Sequence, residues 1–209
     1  GMGGGNRTQT TLIDVPPDPG VTPDVSTRVD TAKPSFRLPS MAEVARVRGS
    51  TGLRVVSSFS GCGGSCLGLE MAGFEIRYAS EFVEAARETY RLNHDENVFI
   101  DPRDIRAVKA EEILAKLGLK KGELDLFEGS PPCASFSTAG NRDKDWGKVK
   151  SYSDVKQRTD DLFFEWARLL EGLMPRVFIA ENVSGLVKGK AVGYFKMILE
   201  RLESIGYVV

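Results

Sequence analysis

The sequence is poor in histidine and cysteine, has no bias of charge and contains no long apolar run, and each scarcity excludes something. A single histidine, His94, leaves little material for a Cys-His hydrolase. It ends a predicted helix and is read as a surface residue. The three cysteines, Cys62, Cys66 and Cys133, are too few and too unevenly spaced for a disulfide framework or a paired zinc site. No metal is expected, and a reducing cytoplasm fits best. With 28 Lys and Arg against 29 Asp and Glu, the formal net charge is -1. That balance removes the global basic field of a non-specific nucleic-acid binder and leaves any such contact to a local patch. No apolar run approaches a membrane span, and the N-terminus lacks the basic-then-apolar pattern of a secretory signal, so a soluble protein is expected.

What is present is enough for one core: 209 residues, 41% hydrophobic. Residues 1–38 hold Pro16, Pro17, Pro19, Pro23 and Pro34 among Gly, Thr and Asp without apolar periodicity, the composition of a disordered leader. Residues 39–52 read as a short helix and linker, with Ser40 and Glu43 at capping-box spacing before Met41 to Val47. From Leu53, short apolar runs alternate with longer amphipathic stretches, which predicts repeated βα units in a doubly wound α/β fold with a mostly parallel sheet. The predicted strands are Leu53–Phe59, Glu75–Ser80, Val98–Ile100, Leu124–Glu128 and Val177–Ala180. The predicted helices are Gly64–Ala72, Val83–Asn93, Ala110–Leu117, Thr159–Leu173 and Gly193–Ser204. In the fourth of these, Leu162, Phe163, Trp166, Leu169, Leu170 and Leu173 recur at helical spacing and read as core. Tyr207-Val208-Val209 reads as the opening of a further strand, so the sheet is expected to be incomplete at its C-terminal edge.

Three strand ends carry candidate chemistry. Phe59-Ser60-Gly61-Cys62-Gly63-Gly64 follows the first strand, where open α/β folds bind ligands and glycines let the backbone approach them. A dinucleotide fingerprint would place a third Gly at position 66, which is Cys66. Glu81, twenty residues beyond Gly61 at the end of the second strand, is placed to accept the hydroxyls of a ribose, so a nucleoside-bearing cofactor is expected. The competing reading is a tight turn beside a solvated carboxylate. Leu124-Asp125-Leu126-Phe127 leads into Gly129-Ser130-Pro131-Pro132-Cys133, where two prolines stiffen the backbone ahead of a thiol. A cysteine is more often a small core filler, but this one stands on a loop at the same sheet edge. Val177-Phe178-Ile179-Ala180 delivers Glu181 and Asn182 to that edge too, and a partly desolvated carboxyl there could donate a proton at neutral pH. Asn141 to Arg158 is locally basic, with Trp146 and Tyr152 interleaved. It reads as a solvated loop on its own, and as a mobile phosphate-contacting loop beside a reactive cysteine.

In this order the segments resemble the cytosine-5 DNA methyltransferase family over about residues 53–209, most specifically at Phe-Ser-Gly-Cys-Gly-Gly, Pro-Pro-Cys and Glu-Asn-Val. The resemblance implies S-adenosylmethionine as cofactor, lined by Phe59, Gly61, Gly63, Gly64, Phe82, Pro132 and Leu162. Glu81 would hold the ribose, and Asp104 and Ile105 would meet the adenine. It implies Cys133 as nucleophile and Glu181 as the group acting on the base. Ser137, Asn182, Arg142, Lys148 and Lys150 would serve the DNA substrate. The family has Asp-Leu where this chain has Ser57-Ser58, and Gln where it has Ala134. A target-recognition domain is expected on a missing C-terminal segment or a second subunit. An RNA cytosine methyltransferase and a non-catalytic subunit are the alternatives; intact Cys133 and Glu181 argue against the second.

Overall fold

Ser40 sets the first element of the computed structural model, which describes residues 37–132, 149–152, 155–158, 162–187 and 191–209. Its Oγ accepts from the Glu43 N–H at 3.3 Å, while its own N–H donates to Glu43 Oε2 at 2.7 Å. This reciprocal cap starts α1, Met41–Val47. The proposed leader lies, through residue 36, outside the described residues.

The elements that follow are β1 (Arg54–Ser58), α2 (Gly64–Met71), β2 (Glu75–Ser80), α3 (Glu84–Asn93) and β3 (Phe99–Asp101). A 3-10 turn at Ile105–Ala107 leads to α4 (Ala110–Leu117) and β4 (Leu126–Gly129). Next are β5 (Val149–Tyr152), β6 (Val155–Arg158), α5 (Leu162–Leu173), β7 (Val177–Ala180), a second 3-10 turn at Ser184–Val187, and α6 (Ala191–Ile205). The main sheet has the order β3-β2-β1-β4-β7, with every neighbouring pair parallel. The chain winds outward from β1 to β3, then returns to the far side of β1 to add β4 and β7. The switch between β1 and β4 opens a crevice at the carboxyl ends of those strands.

Both faces of the central strands β1 and β4 are covered, which is why they read as continuous apolar runs. Alternation sends Val55 and Leu126 to one face with Cys66, Ile76 and Tyr90, and Val56 and Phe127 to the other with Ile113 and Trp166. All six periodic residues of α5 are buried. Trp166 stacks on Phe127 with ring centroids 5.2 Å apart, and truncating so enclosed a side chain is expected to cost about 3–5 kcal/mol.

Two expectations are corrected. Tyr207-Val208-Val209 forms no strand. The Tyr207 hydroxyl donates to the Pro175 carbonyl at 2.6 Å and its ring meets Phe178 edge-on at 4.9 Å, so Tyr207 folds back onto the core behind Gly206, whose φ is +108°, while Val208 and Val209 are exposed. The basic stretch, read as a loop, contains the antiparallel pair β5–β6. Its charges drew the reading away from the strand-forming Val149, Tyr152 and Val155. No helix among the described residues is long and apolar enough to cross a membrane.

Candidate functional site

The glycine turn is built where β1 must reverse into α2. Phe59 takes φ +52°, which a bulky residue adopts only under constraint, and Gly61 and Gly63 take +55° and +89°. The Gly63 N–H donates to the Ser60 carbonyl at 2.9 Å, and Gly63 caps α2. Glu81, at the end of β2, clasps this turn. Its Oε2 accepts from the Gly61 N–H at 2.9 Å and its Oε1 from the Val83 N–H at 2.8 Å. Each carboxylate oxygen keeps a further lone-pair direction. The carboxylate therefore stands oriented before any ligand arrives.

Phe59, Glu81, Phe82, Ile105 and Pro132 line a cleft of about 380 Å³ over the carboxyl ends of the strands. Sequence reasoning named these five and missed Ser80, Val83, Ala86, Arg103 and Ser130, which also line it. Arg103 had a local signal, since it lies two residues past the end of β3. Its guanidinium pairs with Asp101 Oδ2 at 2.7 Å and Glu112 Oε2 at 2.8 Å. Burial works to raise the Asp101 carboxyl, but hydrogen bonds from Arg103 and Tyr78 outweigh it and hold the group below the usual carboxylate range. Asp104 is used differently from its neighbour Ile105: its Oδ1 accepts from the Arg106 N–H at 3.0 Å and caps the 3-10 turn. Leu162 is wholly buried at the start of α5 and packs in the core, so it is not among the cleft residues. The periodicity that marked it as core was the better guide.

Beneath the turn lies a polar group that sequence reasoning passed over. Glu128, on β4, is 3% exposed. Its Oε1 accepts from the hydroxyls of Ser57 and of Ser65, the latter at 3.0 Å, and from the Cys66 thiol at 3.7 Å. Ser57 Oγ in turn lies 2.8 Å from Ser60 Oγ. Burial outweighs these donors and holds the Glu128 carboxyl above its ordinary range. Burial, then the Glu128 charge, push the Cys66 thiol up to about 12, so it is inert. Cys62 is exposed. Of the Ser57-Ser58 pair, Ser57 thus serves the buried Glu128 carboxyl, and the Ser58 hydroxyl donates to the Glu128 backbone carbonyl at 3.2 Å.

On the other side of the switch point, Gly129 lets β4 reach the edge. A Cβ there would overlap Ser58 Oγ and Trp166 Nε1 and stand 2.8 Å from Trp166 Cδ1. Asn182 Nδ2 donates to the Pro131 carbonyl at 3.4 Å, and the Glu181 N–H donates to the Gly129 carbonyl at 3.0 Å. These bonds tie the Glu-Asn-Val and Pro-Pro segments together. Glu181 is exposed among the described residues, so the desolvation expected of it is not seen there. Cys133, Ser137, Arg142 and Lys148 lie outside the described residues, and Lys150 falls on β5. His94 is corrected outright. Its side chain is 1% exposed, and its Nδ1 lies 3.1 Å from Glu70 Oε2. A helix end does not imply a surface position when the chain turns beneath its neighbour. No cluster of metal-ligating groups occurs among the described residues.

A five-stranded parallel sheet wound in both directions from β1, with an apolar cleft and an oriented carboxylate at its carboxyl edge, is a domain of the S-adenosylmethionine-dependent methyltransferase type. Among solved structures it is similar to a DNA modification methyltransferase encoded within a prophage of E. coli, at 27% identity and a TM-score of 0.57, over 73% of this chain and 38% of that one. Residues 53–209 match the C-5 cytosine-specific DNA methylase family, and the chain belongs to it. Curated relatives include the Type II methyltransferases M.NgoPII of Neisseria gonorrhoeae, 35% identical over 157 residues, and M.FnuDI of Fusobacterium nucleatum, 34% identical over 157 residues. Each match covers 75% of this chain. The chain spans about two fifths of the length of these relatives, 41% and 40%.

Proposed function

We propose that this chain carries the methyl-donor and cytosine chemistry of a DNA (cytosine-5)-methyltransferase. The observation that supports this most is the cleft at the switch point, where Glu81, held by two backbone N–H groups, faces apolar walls of Phe82, Ile105 and Pro132. Those residues fit S-adenosylmethionine: the carboxylate suits ribose hydroxyls, the apolar walls suit the adenine, and the turn at Gly61, Gly63 and Gly64 admits the remainder. Asp104, beside Ile105, is assigned to the adenine edge. When bound, the cofactor supplies an electrophilic methyl group on a sulfonium.

Cytosine C5 is too weak a nucleophile to accept that methyl unaided. Cys133, directly after Pro132 on the cleft wall, is assigned to add its thiolate to C6, while Glu181 protonates or hydrogen-bonds N3. The ring then becomes an enamine with electron density at C5. Loss of the C5 proton after methylation and expulsion of the thiolate restore the aromatic ring and the free cysteine. In a duplex the base must first leave the stack. Asn182, bonded to the Pro131 carbonyl, ties the Glu181 strand end to the Pro131-Pro132 segment. Ser137, Arg142, Lys148 and Lys150 are assigned to the nucleic acid.

The test is to incubate the purified protein, supplied with a C-terminal segment of the family that carries a target-recognition domain, with methyl-labelled S-adenosylmethionine and either duplex DNA or RNA, then digest to nucleosides and identify the product by mass spectrometry. The expected product is 5-methylcytosine in DNA. Label in RNA alone, on another position, or in neither polymer would reject the proposal.

A further inference from the structure

Glu81 restrains only one end of the glycine turn, through the Gly61 N–H. At the other end, the edge of a buried imidazole lies against Gly63. A Cβ on Gly63 would overlap His94 Nε2 and stand 2.6 Å from His94 Cδ2 and 2.9 Å from Tyr90 Cδ2. The ring of His94 stacks on Tyr90 with centroids 4.0 Å apart. Its Nδ1 lies 3.1 Å from Oε2 of Glu70, a wholly buried carboxylate on α2. A carboxylate can only accept, so Nδ1 carries the proton and donates. Nε2 is buried with no hydrogen-bond partner among the described residues. The edge of the imidazole is accommodated against a glycine there, whereas a side chain at position 63 is not.

Glu70 is itself held from outside the matched family segment. Arg48, the cap residue of α1, places Nε 3.1 Å from Glu70 Oε1 and Nη2 3.2 Å from Oε2, and its Nη1 pairs with Asp95 Oδ2 at 3.3 Å. The family match begins at residue 53. A buried carboxylate without its cation is costly, so the orientation of Glu70, and through it of His94, depends on the helix that precedes the matched segment.

We propose that His94, oriented by Glu70 and Arg48, is a positioning residue for the methyl-donor site, and that α1 is part of that site's support. This rests on the reading that the glycine turn cradles the donor. Glu81 and His94 grip the two ends of Ser60–Gly63, and the conformation that admits the donor is the one they jointly enforce. His94 touches neither donor nor base. It acts through Gly63.

The experiment compares wild type, His94→Ala, His94→Asn, Gly63→Ala, the Gly63→Ala/His94→Ala pair, Arg48→Lys and Glu81→Ala. Affinity for S-adenosylmethionine is measured by calorimetry, and melting temperature and ligand-free amide exchange over Gly61–Gly64 are recorded alongside. His94→Ala is expected to weaken the donor about tenfold, the loss typical of one well-placed interaction. The donor KM should rise in step while kcat at saturating donor stays unchanged. His94→Asn, which keeps a donor for Glu70 but loses the ring edge, should show the same donor loss with a smaller drop in melting temperature. Arg48→Lys, which keeps the cation, should fall between wild type and His94→Ala. Gly63→Ala should cost less in the His94→Ala background, because the collision with His94 has been removed and only the contact with Tyr90 and the positive φ remain. Faster amide exchange over the turn in His94→Ala is expected without any ligand. Unchanged exchange together with additive effects of the two substitutions would overturn the proposal, even if the wild type bound no donor. If Glu81→Ala weakens the donor and His94→Asn does not, this inference alone fails. If wild type and Glu81→Ala bind the donor equally, the donor reading fails, and amide exchange then decides the role of His94.

Discussion

The two sides of the switch point are built to different standards of closure. On the β1–β2 side, a carboxylate is clasped by two backbone N–H groups, the turn it holds stands over a buried Glu128 network, and His94 closes the far end. On the β4–β7 side, Glu181 is exposed and β7 turns Val177 and Ile179 outward at 57% and 47% exposure. The first side is preorganised by contacts among the described residues. The second carries Glu181 and Asn182, the side chains proposed to serve the base, in surroundings that those residues supply only in part. Donor affinity should therefore respond to substitutions on the first side, and turnover to substitutions on the second.

The largest effect tests that separation directly. Cys133→Ser should reduce methyl transfer by roughly three orders of magnitude or more, as loss of a covalent nucleophile does. Its affinity for S-adenosylmethionine, measured by calorimetry, should match wild type. Substantial turnover, or lost donor affinity, would break the comparison. Next in size, Glu81→Ala should weaken donor binding by about 1–3 kcal/mol, the worth of hydrogen bonds to a charged group. Activity should recover at high donor concentration, and failure to recover would place Glu81 in the chemical step.

Asn182→Ala removes the side-chain bond to the Pro131 carbonyl and should cost about 1 kcal/mol in kcat/KM for DNA. Donor affinity should not move in the same calorimetric assay. A change in donor affinity comparable to that of Glu81→Ala would show that the two sides are not separable. The smallest effect concerns Glu128. Its folded carboxyl is held above the unfolded value, chiefly by burial, so its favourable contribution is complete below the unfolded value and is lost as pH rises through the folded one. Thermal melts of Glu128→Gln should accordingly lose less stability than wild type between acidic and neutral pH. Parallel curves would count against a raised carboxyl.

Much of the first side was legible because its chemistry is local. Glycines at a strand-to-helix turn and a carboxylate twenty residues on are positions along the chain, and β2 and α4 emerged with the bounds predicted for them. The Arg103 contribution was legible only in its position past β3, because nothing in Asp-Pro-Arg-Asp tells whether the guanidinium turns to solvent or to the cleft wall. Leu162 was read in two ways, as core from its spacing and as cofactor pocket from resemblance, and full burial agrees with the spacing. The β5–β6 pair was missed because charge dominated the reading of a stretch whose strand formers were few.

By itself the sequence determined the alternation of strands and helices, the order of the Gly-rich, Pro-Pro-Cys and Glu-Asn segments, and hence the family, because period and spacing are properties of the chain. Only the tertiary structure decided what lies behind those segments. Glu128 on β4 meets Ser57 on β1 and Ser65 on α2, while Arg48, Glu70 and His94 converge from α1, α2 and the end of α3. Those contacts join residues separated by between 22 and 71 positions. Burial and hydrogen bonding across such separations arise from how the layers pack, and no local pattern encodes them.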